Sequence, residues 1–335
     1  MPNSTPEQSR RILTRAIPLG VAALSLILGL GGSWFYTQLR SSLPVLTGTL
    51  PLAGLTASVT VDRDALGVVT LRAGNRLDVA RATGFIHAQE RFFQMDLLRR
   101  SAAGELAELI GSAALERDRG LRIHRFRRRA RDVLAHLPAS QRLMVEVYSA
   151  GVNAGLAALA APPFEYLLLR AAPAPWRPED TLLVIYAMYL VLQGDGATRE
   201  SMVGVLHDTL HPALASFLDP PGTEWDAPLQ GEPFATPPPP GPEVVDLRAP
   251  PAGDRGISRE RRRDDDAWVE QAGSNNWAVA GSHTAHGGAL LANDMHLGLG
   301  VPNTWYRAVF VYPDERGEER RIVGVNLPGA PAVVV

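Results

Sequence analysis

The stretch from Asp219 to Ala272 limits what this chain can fold into more than any other feature. It contains Pro237–Pro240, Pro250-Pro251 and the run Arg261-Arg262-Arg263-Asp264-Asp265-Asp266. A segment of that composition cannot bury enough apolar surface to offset the entropy lost on ordering. Folded structure must therefore come from the residues before it and from those after it. Downstream, Trp277-Ala278-Val279-Ala280-Gly281 begins a strand-like region, and the border is Gly273-Ser274-Asn275-Asn276. Taken alone, the polar stretch reads as a linker between domains, although a spacer that is removed would look the same. Gly-Ser-Asn is also ordinary turn chemistry.

The rest of the 335 residues has globular character, with 46% hydrophobic and 20% charged residues. A net charge of −2 gives no reason to invoke nucleic acid. The basic run Arg122–Arg131 alternates with Ile123, Phe126 and Ala130, as the solvated face of an amphipathic helix would. The absence of cysteine excludes disulfides, thiolate catalysis and Cys-based zinc sites.

Residues 16–39 carry no charge and follow Arg10, Arg11 and Arg15. About 20 apolar residues suffice to cross a bilayer. Basic residues before the run place the N-terminus in the cytoplasm and the bulk on the periplasmic or extracytoplasmic side. The run is longer than a signal-peptide core and no clear A-x-A site follows, so an uncleaved signal-anchor is expected over a cleaved signal. Trp34 and Tyr36 stand where an interfacial anchor would be.

After the anchor, Ser58–Arg63 and Val68–Arg72 around Asp64-Ala65-Leu66-Gly67 predict a hairpin. From Asp78 the apolar period becomes helical, and helices are expected through Leu106–Ile110, Leu121–Leu134, Gln141–Leu159 and Thr181–Leu192. Thr181–Leu192 is too short to span a membrane and reads as a buried core helix. Leu327–Val335 reads as an apolar strand.

Cutting the Gly273–Ser274 bond would give Ser274 a free α-amine beside its hydroxyl. An α-amine has a pKa of roughly 7.7–8.0, near working pH where a general base is most effective. An adjacent amine is one way of activating a weak hydroxyl nucleophile. Two blocks add to this. One is Gly273-Ser274-Asn275-Asn276-Trp277-Ala278-Val279-Ala280-Gly281-Ser282 followed by Asn293-Asp294-Met295-His296-Leu297. The other is Gly84-Phe85-Ile86-His87-Ala88-Gln89-Glu90-Arg91-Phe92-Phe93-Gln94-Met95-Asp96, with Arg99-Arg100 and Gly104-Glu105-Leu106-Ala107-Glu108. In this order they resemble the β-chain start and the α-chain signature of the penicillin acylase family, the N-terminal-nucleophile hydrolases. The resemblance runs from about residue 45 to the end.

The resemblance implies an α+β fold, the αββα sandwich of that superfamily. Residues 1–40 would be tail and anchor, 41–218 a mainly helical α-chain region and 219–273 a spacer. Residues 274–335 would be the start of a β chain that continues past Val335 and supplies the oxyanion-hole groups. The β chain would begin with a central strand carrying Ser274. The activity implied is amide hydrolysis through an acyl-enzyme on Ser274, after self-cleavage at Gly273-Ser274, on a small acyl amide: a β-lactam or, alternatively, an N-acyl-homoserine lactone. The processed α and β chains would be each other's partners.

His296, 22 residues after Ser274, would orient the nucleophile, and Leu297 would line the acyl pocket. Asn275 and Trp277 are expected to be structural, Trp277 filling core. Glu200 would offer one carboxylate to a structural calcium ion; calcium needs six to eight oxygens, and an exposed helical glutamate is the other reading. No organic cofactor is implied. Two rival classes remain: zinc ligation by His283, His286, Asp294 and His296, which lack the i, i+4 helical pairing such sites use, and a non-catalytic membrane-anchored binding protein.

Overall fold

A computed structural model of the chain describes residues 6–193, 197–224, 226, 228, 230–246, 248 and 273–334. Most of the Pro- and Arg-rich stretch expected to be a spacer, including 249–272, lies outside these residues. The described chain mixes helix and strand. It divides into two compact units: residues 1–190, 277–293 and 298–335, and residues 191–276 with 294–297.

The chain begins with helix α1 (Pro6–Ser41). Within it Gly20–Ser41 is long and apolar enough to cross a membrane, and none of that window is buried. The predicted hairpin follows as β1 (Thr60–Arg63) and β2 (Val69–Arg72). Its turn is held by Asp64, whose Oδ1 accepts from the Leu66 and Val68 amides at 2.9 and 2.8 Å.

Helix α2 (Arg76–Ala103) starts at Asn75, whose side chain accepts from the Asp78 amide, and stops at Gly104 in the left-handed region. Short helices α3 (Ala107–Ile110), α4 (Leu115–Arg122) and α5 (Phe126–His136) follow. Then come α6 (Ala139–Ala157), α7 (Phe164–Leu169) and α8 (Pro178–Leu192). The second unit carries α9 (Thr198–Thr209) and α10 (Pro212–Leu218). The remaining strands are β3 (Gly273–Val279), β4 (Leu290–His296), β5 (Tyr306–Pro313) and β6 (Glu319–Asn326).

Strands β1, β2, β5 and β6 form one sheet in that order. The pairing of β2 with β5 is parallel, with Leu71 opposite Phe310, while both outer pairings are antiparallel. Val79, Ala82, Phe85 and Ile86 of α2 pack on Val69, Leu71, Ala308 and Phe310 of the sheet. The other flank of α2 packs on α6 so closely that a Cβ at Gly84, Gly151 or Gly155 would overlap a backbone oxygen of Tyr148, Arg81 or Phe85.

Two buried polar networks tie α2 to its neighbours. In the first, Asp96, fully buried, accepts from Arg99 Nε (2.7 Å), Arg100 Nε (2.9 Å) and Tyr166 Oη (2.6 Å). Arg99 donates onward to Asp180 (2.6 Å) and to the carbonyls of Ala174 and Pro175, with its guanidinium over the Trp176 ring. Arg127 bridges Asp180 (2.9 Å) and both oxygens of Glu105. Burial, and then the Asp96 charge, push the Tyr166 hydroxyl above its ordinary pKa, so it stays a donor.

In the second network, His87 Nε2 lies 2.9 Å from Asn326 Oδ1, and Nδ1 lies 2.9 Å from Tyr148 Oη. The carbonyl oxygen of Asn326 can only accept, so Nε2 carries the proton and Tyr148 donates to Nδ1. The same hydroxyl accepts from the Gly329 amide at 2.9 Å. Burial, with the positive Arg91 adding to it, pushes the His87 pKa from 6.5 to about 3, against the pull of the Asn326 bond.

Several expectations change. The helix read over Leu121–Leu134 breaks between α4 and α5, at Arg125 with φ 52°. The break lets Arg122 donate to the Gly104 carbonyl and Arg127 enter the buried network, so this run is not simply a solvated face. Helix α8 buries only one side, leaving Ile185, Tyr189 and Val191 exposed. Strand β3 does not join the larger sheet; it pairs with β4 alone among the described strands. Residues 327–332 turn rather than extend, with a single bridge from Val333 to Asn326. Pro328 and Pro331 have no amide for a ladder, and Gly329, at φ 112°, leaves no room for a Cβ against Val184.

Asp96→Ala should take one carboxylate from two buried guanidiniums and the acceptor from the Tyr166 hydroxyl, and cost about 3–5 kcal/mol of unfolding free energy, measurable by denaturant titration. A loss under 1 kcal/mol, an order-of-magnitude threshold for an exposed pair, would show that the network is dispensable. The folded-state pKa of His87 is depressed, so the unfolded chain binds the extra proton. Its contribution should be complete above pH 6.5 and be lost as pH falls from 6.5 towards 3, with a slope of up to about 1.4 kcal/mol per pH unit. His87→Gln should flatten stability against pH across that window; an unchanged slope would assign it to other groups.

Candidate active site

Residues 273–276 of β3 and 294–297 around the end of β4 belong to the same compact unit. Ser274 is the second residue of β3 and is exposed, as are Asn275 and Asn276. The Asn275 side-chain amide lies 3.5 Å from His296 Nε2, and that nitrogen lies 3.0 Å from Asp294 Oδ2. A carboxylate accepts, so Nε2 donates to Asp294 and cannot also accept from Asn275; the longer distance is a contact. The imidazole is thus held by a carboxylate two residues away on the same strand. This bond fixes the ring and its tautomer, and it occupies Nε2, so that atom is not available to take a proton. Leu297 follows directly, half-buried, its amide bonded to the Met295 carbonyl at 3.1 Å.

Between the strands, Gly281–His283 forms a single 3-10 turn. Thr284 Oγ1 lies 2.7 Å from the Gly288 carbonyl and 3.0 Å from that of Gly281, and the Gly288 amide donates to His286 Nδ1 at 3.0 Å. His283 and His286 are therefore turn residues, His286 bonded to its own loop. Trp277 is 53% exposed and does not fill a core. The side chains of a two-stranded sheet pack only where another layer covers them.

Glu200 sits exposed in the first turn of α9. Among the described residues no three His, Asp or Glu side chains gather into a metal site. One carboxylate does not match the six to eight oxygens calcium requires, so Glu200 by itself does not fit the ion.

The sequence reading singled out the block Gly84–Asp96 without its mechanics. The Asp96 network has a signal in the i, i+3 and i, i+4 spacing of Asp96, Arg99 and Arg100. The His87–Tyr148–Asn326 set has none, since its members come from three distant elements.

A family model described as "Penicillin amidase" matches residues 58–335. A penicillin acylase 2 proenzyme from a Pseudomonas species is 34% identical over 298 residues, 88% of this chain and 36% of that protein. An acyl-homoserine lactone acylase from Pseudomonas aeruginosa is 33% identical over 325 residues, 93% of this chain and 36% of that protein. The chain thus spans 36% of the length of these curated relatives. A solved thermostable penicillin G acylase from Alcaligenes faecalis superposes with a TM-score of 0.43 at 24% identity, covering 53% of this chain and 98% of that one.

His296 is about half exposed and its strand pairs with one other, so His296→Ala should alter unfolding free energy by no more than about 0.5 kcal/mol. Reactivity at Ser274 should nevertheless fall, read as the rate of labelling by a serine-directed acylating reagent. A larger stability loss with unchanged labelling would make His296 a structural residue.

Proposed function

The chain belongs to the penicillin amidase family, and on that premise we propose that it carries the nucleophile of an amidohydrolase that cleaves the acyl group from a small acyl amide. The observation that carries the reading is Ser274 at the exposed start of β3, inside the matched span, where its chain neighbour Asn275 lies 3.5 Å from His296 and His296 is bonded to Asp294. In the precursor, Ser274 Oγ attacks the Gly273 carbonyl carbon. The C–N bond breaks as the acyl group moves to oxygen, and water opens the ester, leaving a Gly273 carboxylate and a free Ser274 α-amine. Gly273 has no side chain to obstruct that attack.

In the mature protein the α-amine takes the Oγ proton, directly or through a water, as Oγ attacks the substrate carbonyl. The tetrahedral adduct collapses when that proton passes to the leaving nitrogen. An amine departs, and water then releases the acid from the acyl-enzyme by the same route. His296, fixed by Asp294, orients the serine and its amine and is not the base. Leu297 faces the acyl group, where an aliphatic side chain suits a less aromatic acyl moiety.

The αββα sandwich, the processed α and β chains and the oxyanion-hole donors complete this reading for the whole protein. Loss of one such donor costs roughly 10²–10³ in rate. Calcium is tied here to Glu200 alone, and no step depends on it. An N-acyl-homoserine lactone is the second substrate class, favoured by a relative named as an acyl-homoserine lactone acylase at nearly the same identity as the penicillin acylase. Helix α1 acts as a signal-anchor with the body outside the cytoplasm, supported by the length and composition of Gly20–Ser41.

N-terminal sequencing of the processed chain, made from its whole gene, should begin at Ser274. Ser274→Ala should leave an uncut precursor with no acylase turnover on either phenylacetyl amides or acyl-homoserine lactones. Another start site would sink the autocleavage reading, and an uncut wild-type protein that binds acyl amides unchanged would make it a binding protein.

A further inference from the structure

Where α1 ends, the chain does not run into a slack tether. Ser42 is buried, its hydroxyl donates to the Leu39 carbonyl at 2.8 Å, and the Ala161 amide donates to the Ser41 carbonyl at 3.1 Å. The foot of α1 is thereby bonded to the loop between α6 and α7. Beside it opens a cavity of about 730 Å³ whose lining includes Leu43, Leu46, Phe93, Leu97, Phe164 and Val301. Several apolar side chains here face water. Exposure is 53% at Leu43, 57% at Leu46 and 40% at Phe164, and Leu168, one helical turn beyond Phe164, is 60% exposed. The lining also carries Arg63, Gln89, Glu90, Arg91, Gln94 and Glu165.

Length fixes where this face sits if α1 crosses a bilayer. The 22 residues of Gly20–Ser41 rise about 33 Å at 1.5 Å per residue, close to the hydrocarbon thickness of about 30 Å. Ser41 then lies at the lipid–water interface, and so do the groups bonded to it and the apolar residues that follow within a few positions. Apolar side chains held there lose water to the acyl region at a gain of about 25 cal/mol per Å². Arg91 and Glu165 supply both signs of charge to the lining, as a zwitterionic headgroup does.

We infer that Leu43, Leu46 and Phe164 at this cavity, with Leu168 one helical turn beyond Phe164, form a second membrane contact that seats the folded body in the phospholipid interface of the bilayer α1 crosses. The inference rests on the signal-anchor reading of α1. Its consequence is a body held at fixed height and orientation, where an acyl-bearing substrate dissolved in the leaflet is concentrated.

The chain has no cysteine, so single replacements label one site each. The full chain is reconstituted in phosphatidylcholine vesicles with an environment-sensitive fluorophore at Leu26→Cys, Leu46→Cys or Leu168→Cys. Emission is quenched either by phosphatidylcholine bearing a nitroxide high on its acyl chain or by aqueous iodide. The expected result is loss of emission to the nitroxide lipid, with little loss to iodide, at all three sites. If Leu26 is quenched by lipid while Leu46 and Leu168 answer only to iodide, the second contact is overturned and the anchor stands. If Leu26 also answers to iodide, the anchor reading falls and the inference with it. Leu46 and Leu168 are both exposed, so neither label depends on repacking a core.

Discussion

The close approach of α2 and α6 underlies most of what the first unit builds. Three glycines let the backbones touch, and a methyl group at any of them would meet a carbonyl oxygen. Ridges of larger side chains would hold the axes about 8–10 Å apart. At this separation Tyr148 of α6 reaches His87 of α2, and Phe92, Met95, Tyr148 and Val152 share one core. The remaining flank of α2 is left free to cover the sheet. A helix buried on nearly every side needs partners for its polar residues, and the two buried networks supply them.

Those networks differ in kind. Around Asp96 the charges are paired and each guanidinium is also bonded to backbone carbonyls or a second carboxylate, which offsets the cost of taking ions out of water. Around His87 there is no charge to offset, because burial keeps the imidazole neutral. Its bonds join α2, α6, the end of β6 and the turn after it, and the His87–Asn326 bond alone closes a separation of more than two hundred residues along the chain. The buried Nδ2 of Asn326 has no partner among the described residues, so this second network is the less completely satisfied of the two. The block Gly84–Asp96, part of the family signature, thus has a structural use at almost every position, apart from any contact with substrate.

The start of β3 has the opposite character. Ser274, Asn275 and His296 are exposed, on a sheet of two strands. On the proposed function, groups that meet a substrate and a cut backbone have to remain accessible, whereas the α2–α6 core buys rigidity through burial. Asp294 holds His296 from only two positions away, an orientation that does not require a packed interior.

The residues alone identified local things: the hairpin around Gly67, the helical period from Asp78 and the uncharged run before Arg40. Each depends on neighbours within a few positions, where backbone chemistry and apolar period are decisive. The break at Arg125, the turn over 327–332 and the partners of His87 were not legible, because each depends on a group distant in sequence: Gly104, Asp180, Tyr148 or Val184. Trp277 was misread for the same reason, since an aromatic in a strand is core only if another layer covers it. Sequence determined which segments could be helix or strand. Tertiary structure decided which charged residues were buried, because burying an ion is tolerable only when its partner has been brought to it from elsewhere in the chain.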